Sequence, residues 1–350
     1  MTASLRWWGP PLDSDHQDLA DMLGTFNERH QVDLTDNTGS VGDLVGEIAG
    51  LGLWTLGTSA EHGGGGADRT ATALAWEYLG RSWPSLGWAS VQAHVAVDVL
   101  APGGAHAELI DRLHTGTASI AVVSETSRHV RIADSGSRVA RIDAAGERPH
   151  LLILGTGNDA GLFDPEALSF TALDRTGLGG SFTRTVDFDS SSAGVRIADV
   201  DTAAARSRLW AGAATVAAGS ALAAAEAAVN YADGRIQFGA SLTAISTVRQ
   251  SLFEQASRAA VAAAAALQAQ SELAAAAALR TATDNAVSVA ADALQSHGGY
   301  GYLTEYGAVR RFADALSLRA AVDPWEAGVY AAKRLAELTS IGAVSARPWR

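Results

Sequence analysis

The sequence contains no cysteine, which excludes disulfides, thiolate metal sites and cysteine nucleophiles, and nothing in it points to an oxidising compartment. Lysine is almost as scarce, since Lys333 is the only one. With a formal net charge of -12 the chain lacks the clustered basic surface that phosphate backbones require, so nucleic acid is excluded as a partner. Long apolar runs are missing too. The most hydrophobic run, Ala259 to Leu267, is too short to span a bilayer and is followed at once by Gln268, Gln270 and Glu272, so no membrane contact is expected. Met1 to Pro11 shows no charged segment followed by an apolar one; no signal peptide is read there, and a soluble cytoplasmic protein is the expectation.

What is present is a helical pattern interrupted once. The 350 residues are enough for a substantial core in one to three packed units. Helices are expected over Asp15 to Arg29, Val41 to Leu51, Thr70 to Gly80, Leu86 to Leu100 and Ala105 to His114, where apolar residues such as Leu19, Met22, Leu23 and Phe26 recur at the helical period. From Ser119 the pattern turns to short strand-type runs: Ile120 to Val123, Arg138 to Ile142, Leu151 to Leu154, Ser169 to Leu173 and Phe182 to Phe188. After Asp201 alanine dominates Ala211 to Ala232, Ser257 to Leu279 and Thr283 to Leu294, and alanine both favours helix and lets helix axes approach closely. The predicted fold is therefore mainly α with a small central β section. It divides into an N-terminal helical domain (1-117), a reduced middle β domain (118-201) and a C-terminal helical bundle (202-350).

Gly63 to Gly66 lacks the Lys-Ser/Thr of a phosphate loop and reads as a turn between helices. In Tyr231-Ala232-Asp233-Gly234-Arg235-Ile236-Gln237-Phe238-Gly239 a guanidinium stands beside glycine and an aromatic ring. Such a group can grip a pyrophosphate in bidentate fashion, and it can equally well satisfy a helix C-terminus. Gln295-Ser296-His297-Gly298-Gly299-Tyr300-Gly301 brings glycines that permit close approach of backbone to a ligand or simply end a helix. His297 could move protons near neutral pH, but its place inside this segment favours a structural role. Glu305, Arg310, Arg311 and Asp314 read as a helix-end ion network, and no metal site is expected.

These two segments, in this order, resemble the C-terminal signatures of the acyl-CoA dehydrogenase family, and the resemblance runs from about Asp15 to Leu338. It implies an N-terminal helical section, a β-barrel-like middle and a C-terminal four-helix bundle. It also implies FAD as cofactor and an acyl-CoA as substrate for α,β-desaturation. In that family the two segments reach across a subunit interface to the adenylate side of a neighbour's FAD, a role the resemblance gives to Arg235, Gln237, Phe238, Gln295, Gly298 and Gly299.

The resemblance fails where flavin chemistry is done. The family's Thr-Glu-Pro flavin contact becomes Ser124-Glu125-Thr126, with Ser124 in place of the threonine. Its Lys-x-Trp/Phe-Ile-Thr-Asn-Gly strand is absent, because Arg138 to Ile142 passes through Asp143 to Pro149 directly into Leu151. Its Glu-Gly-Thr base falls at Val322 or Ala321 depending on the direction of counting, and the alternative location in some relatives, here Ser207-Arg208-Leu209-Trp210, has no carboxylate either. Asp323 and Glu326 are the nearest substitutes for removing an α-proton. This asymmetry implies the non-catalytic subunit of a heterotetramer with a full-length acyl-CoA dehydrogenase, as in actinobacterial enzymes of steroid side-chain or fatty-acid β-oxidation. Two alternatives are a self-sufficient flavoenzyme that uses Asp323 or Glu326 as base, as in natural-product metabolism, and a flavin-free scaffold for binding or assembly. The shape of any acyl pocket is expected to depend on Trp76, Trp83 and Trp88.

Overall fold

A computed structural model describes residues 11-345 except 31, 36, 37, 134, 135 and 190-193. The N-terminal section holds α1 (Ser14–Arg29), α2 (Val41–Gly50), α3 (Arg69–Ser82), α4 (Pro84–Leu100) and α5 (Ala107–His114). Asp13 and Asp68 open α1 and α3 by accepting hydrogen bonds from the backbone N–H of His16 and Ala71, the usual way of meeting unpaired donors of a first helical turn. Pro84 at the start of α4 has the fixed φ that a first helical position accepts, and almost every residue of that helix is buried. It is a core helix rather than a surface one.

The middle section is built from two four-stranded sheets. Its strands are β1 (Ile120–Ser124), β2 (Val130–Arg131), β3 (Ser137–Ala144), β4 (His150–Leu154), β5 (Asp159–Phe163), β6 (Ser169–Ala172), β7 (Phe182–Phe188) and β8 (Gly194–Ala198). One sheet has the order β1-β4-β5-β8, with β1 and β4 parallel, and the other is antiparallel in the order β2-β3-β7-β6. Successive side chains of a strand face opposite ways, and the sequence uses both faces. Ala121, Leu151 and Ile153 point into the space between the sheets, where the Phe163 and Phe188 rings meet edge to face at 4.8 Å. Ile120, Val122, Leu152 and Leu154 point the other way into the helical core. Gln92 ties α4 to both sheets, accepting from Val122 N–H (2.9 Å) and donating to the Asp143 carbonyl (2.9 Å). No further strand lies between β3 and β4 among the described residues, and β3 itself carries an irregularity between Val139 and Ile142.

The C-terminal section starts with α6 (Thr202–Gly234), 33 residues long, followed by the short strands β9 (Ile236–Gln237) and β10 (Ala240–Ser241). Then come α7 (Ser246–Gln268), α8 (Glu272–His297), α9 (Ala308–Ala321) and α10 (Pro324–Ser345). The expectation of one helix across Ser257 to Leu279 is corrected here: α7 stops at Gln268 and α8 begins at Glu272. Ala269 leaves helical geometry (ψ 97), and Ser271 caps the new helix by accepting from Ala274 N–H, so a serine cap ends what composition presents as a continuous alanine helix. By length and composition α6 could cross a membrane, but 78% of its apolar window is buried within the protein. Glycine and alanine set its packing. A Cβ on Gly219 would collide with the carbonyl of Glu77, and one on Gly80 with that of Val216, so α3 and α6 touch backbone to backbone.

Candidate functional site

Sequence reasoning named residues at two places, and the structure assembles both. The first is the corner between α9 and α10. Val322 ends α9 and is buried, while Asp323 takes φ +43, a left-handed backbone that glycine adopts far more easily. The two positions expected for a base, Ala321 and Val322, therefore lie at the end of α9, directly before this turn. Val322 brings no proton acceptor.

The carboxylates near this corner are engaged by the loop that follows β1. Thr126 donates to Glu326 Oε1 (2.7 Å), and its hydroxyl also meets that of Ser124 (2.8 Å). Ser127 donates to Asp323 Oδ2 (3.0 Å), with Arg128 Nε 3.5 Å from the other oxygen and His129 Nε2 3.9 Å from Oδ2. Burial pushes the Glu326 carboxyl above the usual carboxylate range; the Thr126 hydrogen bond opposes that shift and the neighbouring Asp323 charge adds to it. Beside this cluster Arg206 is buried, donating to the Gly155 carbonyl (3.1 Å) and to Thr202 Oγ1 (3.3 Å) with Nε 3.5 Å from Glu272. Its guanidinium lies 4.9 Å over the Tyr330 ring, which in turn packs edge-on against Trp210 at 5.4 Å. Ser124, Asp323 and Glu326 are thus brought together, closed over by hydrogen bonds and aromatic packing. Sequence reasoning missed Thr126, Arg206 and Tyr330, because partners some 200 positions apart leave no local signal.

Of the alternative base location, Leu209 and Trp210 are buried in the core, whereas Arg208 pairs with Asp98 and donates to the Gly57 carbonyl (2.7 Å). Asp143, in the stretch where the family's flavin strand is absent, is buried and accepts from Arg141 (2.6 Å), Ser181 (3.0 Å) and Thr183 (2.5 Å).

The second place is the opposite end of α6. Arg235 caps that helix through its N–H to the Tyr231 carbonyl (3.0 Å), and its guanidinium sits 4.9 Å over the Tyr300 ring. Phe238 (φ +54) and Gly239 (φ +81) form a two-residue turn between β9 and β10 with both φ positive, which leaves the Phe238 side chain 97% exposed. Gln295, Gly298 and Gly299 are exposed at the end of α8, where Gly298 (φ +56, ψ -139) takes a backbone that only glycine adopts freely. His297 is buried, bonded through Nδ1 to the Ala293 carbonyl (2.7 Å) and stacked on Tyr231 at 4.4 Å, so it holds the two helix ends together. Arg235 on the Tyr300 ring joins the two segments, and a guanidinium beside bare glycine backbone is suited to a phosphate-bearing ligand.

The expected ion network of Glu305, Arg310, Arg311 and Asp314 is corrected, since no ion pair joins these four among the described residues. Arg310 pairs with Asp33 (2.9 Å), Arg311 donates to the Tyr306 carbonyl (3.3 Å), and buried Asp314 accepts from Leu178 N–H (2.5 Å). Tertiary packing offered Arg310 and Asp314 nearer partners, and Arg311 turns to a carbonyl just before its own helix.

Comparisons with known proteins fit this architecture. The chain's three-dimensional relatives include butyryl-CoA dehydrogenase from Megasphaera elsdenii, 22% identical with a TM-score of 0.72 over 88% of this chain and 94% of that one. Glutaryl-CoA dehydrogenase from Mycobacterium smegmatis, solved in complex with FADH2, is 14% identical with a TM-score of 0.75 over 93% and 95%. The prolyl acyl carrier protein oxidase AnaB is 17% identical with a TM-score of 0.76 over 93% and 100%. At such identities the likeness is one of fold. Sequence comparison with curated proteins finds no match. The family models for the acyl-CoA dehydrogenase N-terminal domain and C-terminal domain match residues 13–108 and 196–321, which together make up more than half of the sequence. The chain belongs to the acyl-CoA dehydrogenase family.

Proposed function

We propose that this chain is the non-catalytic subunit of a heteromeric, FAD-dependent acyl-CoA dehydrogenase. In this reading Arg235, Gln237, Phe238, Gln295, Gly298 and Gly299 contact the adenylate side of an FAD whose ring is held by a full-length partner. The observation that carries the reading is the contrast between the two ends of α6. At one end Phe238, Gln295, Gly298 and Gly299 stand open to solvent and Arg235 and Gln237 are half-buried. At the other, the carboxylates nearest the expected base position are engaged by the chain's own contacts, Thr126 to Glu326 and Ser127 to Asp323, with Arg206 over Tyr330 beside them. The 33 residues of α6 set these ends about 50 Å apart at 1.5 Å per residue, too far for one dinucleotide to touch both within a single subunit.

The residues present therefore fit the phosphate and adenine portion of FAD and do not fit its redox ring, which needs donors and a water-free slot of its own. FAD as the cofactor of the assembly is supported by the family and by the FADH2 held in one solved relative. A second reading has one observation in its favour: burial raises the pKa of Glu326, as a general base near neutral pH requires. In that case the same chain would bind flavin unaided.

Purification separates the two. Expressed alone, the chain is expected to carry little or no FAD; expressed with its full-length partner, it should co-purify as a complex with flavin absorbance and acyl-CoA-dependent dye reduction. A yellow, near-stoichiometric flavoprotein from the single chain would refute the subunit reading.

A further inference from the structure

A cleft of about 570 Å³ lies beside the second half of α6, enclosed by α1, the end of α3 and the start of α9. None of the residues given to the nucleotide or to the α9 to α10 corner lines it. On one wall Asp21, Gly24 and Glu28 follow one another at three and four positions along α1 and so share a face, with the bare glycine between two exposed carboxylates. A Cβ at Gly24 would lie 3.6 Å from Cε1 of Tyr78 on α3, so the missing side chain is part of the open space. The volume is that of an ordinary small-molecule site, for which about 300 to 1,000 Å³ is typical. The lining is mostly polar, which suits a hydrophilic ligand and not a hydrocarbon one.

Three arginines and three carboxylates line the cleft, and they do not all pair. Arg310 is matched by Asp33 (2.9 Å), and Arg81 meets Glu77 through Nε (2.6 Å) and Glu226 through Nη1 (3.4 Å). Arg311 is different. It donates to the Tyr306 carbonyl (3.3 Å), its Nε is buried without a partner, and no carboxylate stands within ion-pair distance of it among the described residues. Nη2 of Arg81 is likewise buried and unpartnered, so two guanidinium groups of one cleft hold donors with no acceptor, which is costly for a buried charge. Burial lowers the Arg311 pKa and the Arg310 charge adds to this, while the Asp314 and Glu226 charges restore it only in part. On the α1 wall, Asp21 and Glu28 have no cation within ion-pair distance among the described residues. An unpaired cation inside and unpaired carboxylates at the mouth are complementary to a zwitterion, acid group inward and ammonium group outward.

We infer that this cleft binds a free polar α-amino acid, its carboxylate on Arg311 and its ammonium group at Asp21 and Glu28. The inference stands apart from the subunit reading, since it uses none of the same residues. The test is calorimetric titration of the full chain with L-glutamine and with two relatives of the same skeleton: 4-carbamoylbutanoate, which lacks the ammonium group, and 4-aminobutanamide, which lacks the carboxylate. Saturable binding of glutamine at one site is expected, with each relative about tenfold weaker. Arg311→Gln should weaken glutamine and 4-carbamoylbutanoate about tenfold and leave 4-aminobutanamide unchanged. Glu28→Gln, at an exposed position where the fold is not at stake, should weaken glutamine and 4-aminobutanamide about threefold and leave 4-carbamoylbutanoate unchanged. Absence of glutamine binding, a relative that binds as tightly as glutamine, or losses that do not follow the charge removed would overturn the assignment.

Discussion

His94 has both ring nitrogens committed: Nδ1 lies 2.8 Å from the Ser90 carbonyl, and Nε2 accepts from the Gly57 N–H at 3.1 Å. This arrangement requires a neutral ring, because a proton on Nε2 would face another N–H. Burial, with the nearby Arg208 charge adding to it, pushes the pKa down to about 3 from an ordinary value of 6.5. Below pH 6.5 the unfolded chain takes up a proton that the folded chain refuses until about pH 3. Stability is therefore complete above that window and falls through it by up to about 1.4 kcal/mol per pH unit. Unfolding temperatures measured from pH 7 to pH 4 should drop less steeply in His94→Gln than in the native chain; parallel slopes would mean that other groups govern the acid limb. The sequence alone marks His94 only as a histidine in an apolar helix. Its partners on Gly57 and Ser90 come from packing that no local pattern encodes.

Helices report themselves through periodicity and caps, and most of them were legible for that reason. The elements that escaped lack such marks. β5 contains Gly161, and β8 is exposed along nearly its whole length, so neither shows the alternation that identifies a half-buried strand. The break between α7 and α8 lies in a run without glycine or proline, its only cue being Ser271. Close packing of helices makes a sharper demand. Because a Cβ on Gly219 would meet the Glu77 carbonyl and the backbone at Arg81, Gly219→Ala must push α3 and α6 apart even though alanine is the better helix former. A loss of about 1 to 3 kcal/mol is expected in chemical denaturation, the usual cost of overpacking. Ala224→Gly on the same helix serves as the contrast: it should cost about 1 kcal/mol from helix propensity and about 1 kcal/mol more for the buried methyl, without forcing α3 and α6 apart.

At the scale of the whole molecule, the family was legible from two C-terminal signatures, while the closure of the α9 to α10 corner was not, since it depends on contacts between β1's loop and α10. Two substitutions test how the ends of α6 divide their labour in a complex with a full-length partner. Arg235→Ala should reduce bound flavin, removing a charge-assisted contact usually worth about 1.5 to 3 kcal/mol. Equal flavin in mutant and native complexes would leave Arg235 as a helix cap alone. Asp323→Asn and Glu326→Gln should each leave turnover within a few-fold, whereas loss of a true general base costs about a hundredfold or more. A hundredfold loss at either position, with flavin content intact, would make this chain the catalytic one. The alanine and glycine surface of α6 has a further meaning in dynamical terms. Alanine and glycine carry no side-chain torsions, so contacts made of them have no rotamers to exchange and no slack in which a displacement can dissipate. The alanine methyl groups along α6 should accordingly relax with the backbone rather than independently of it.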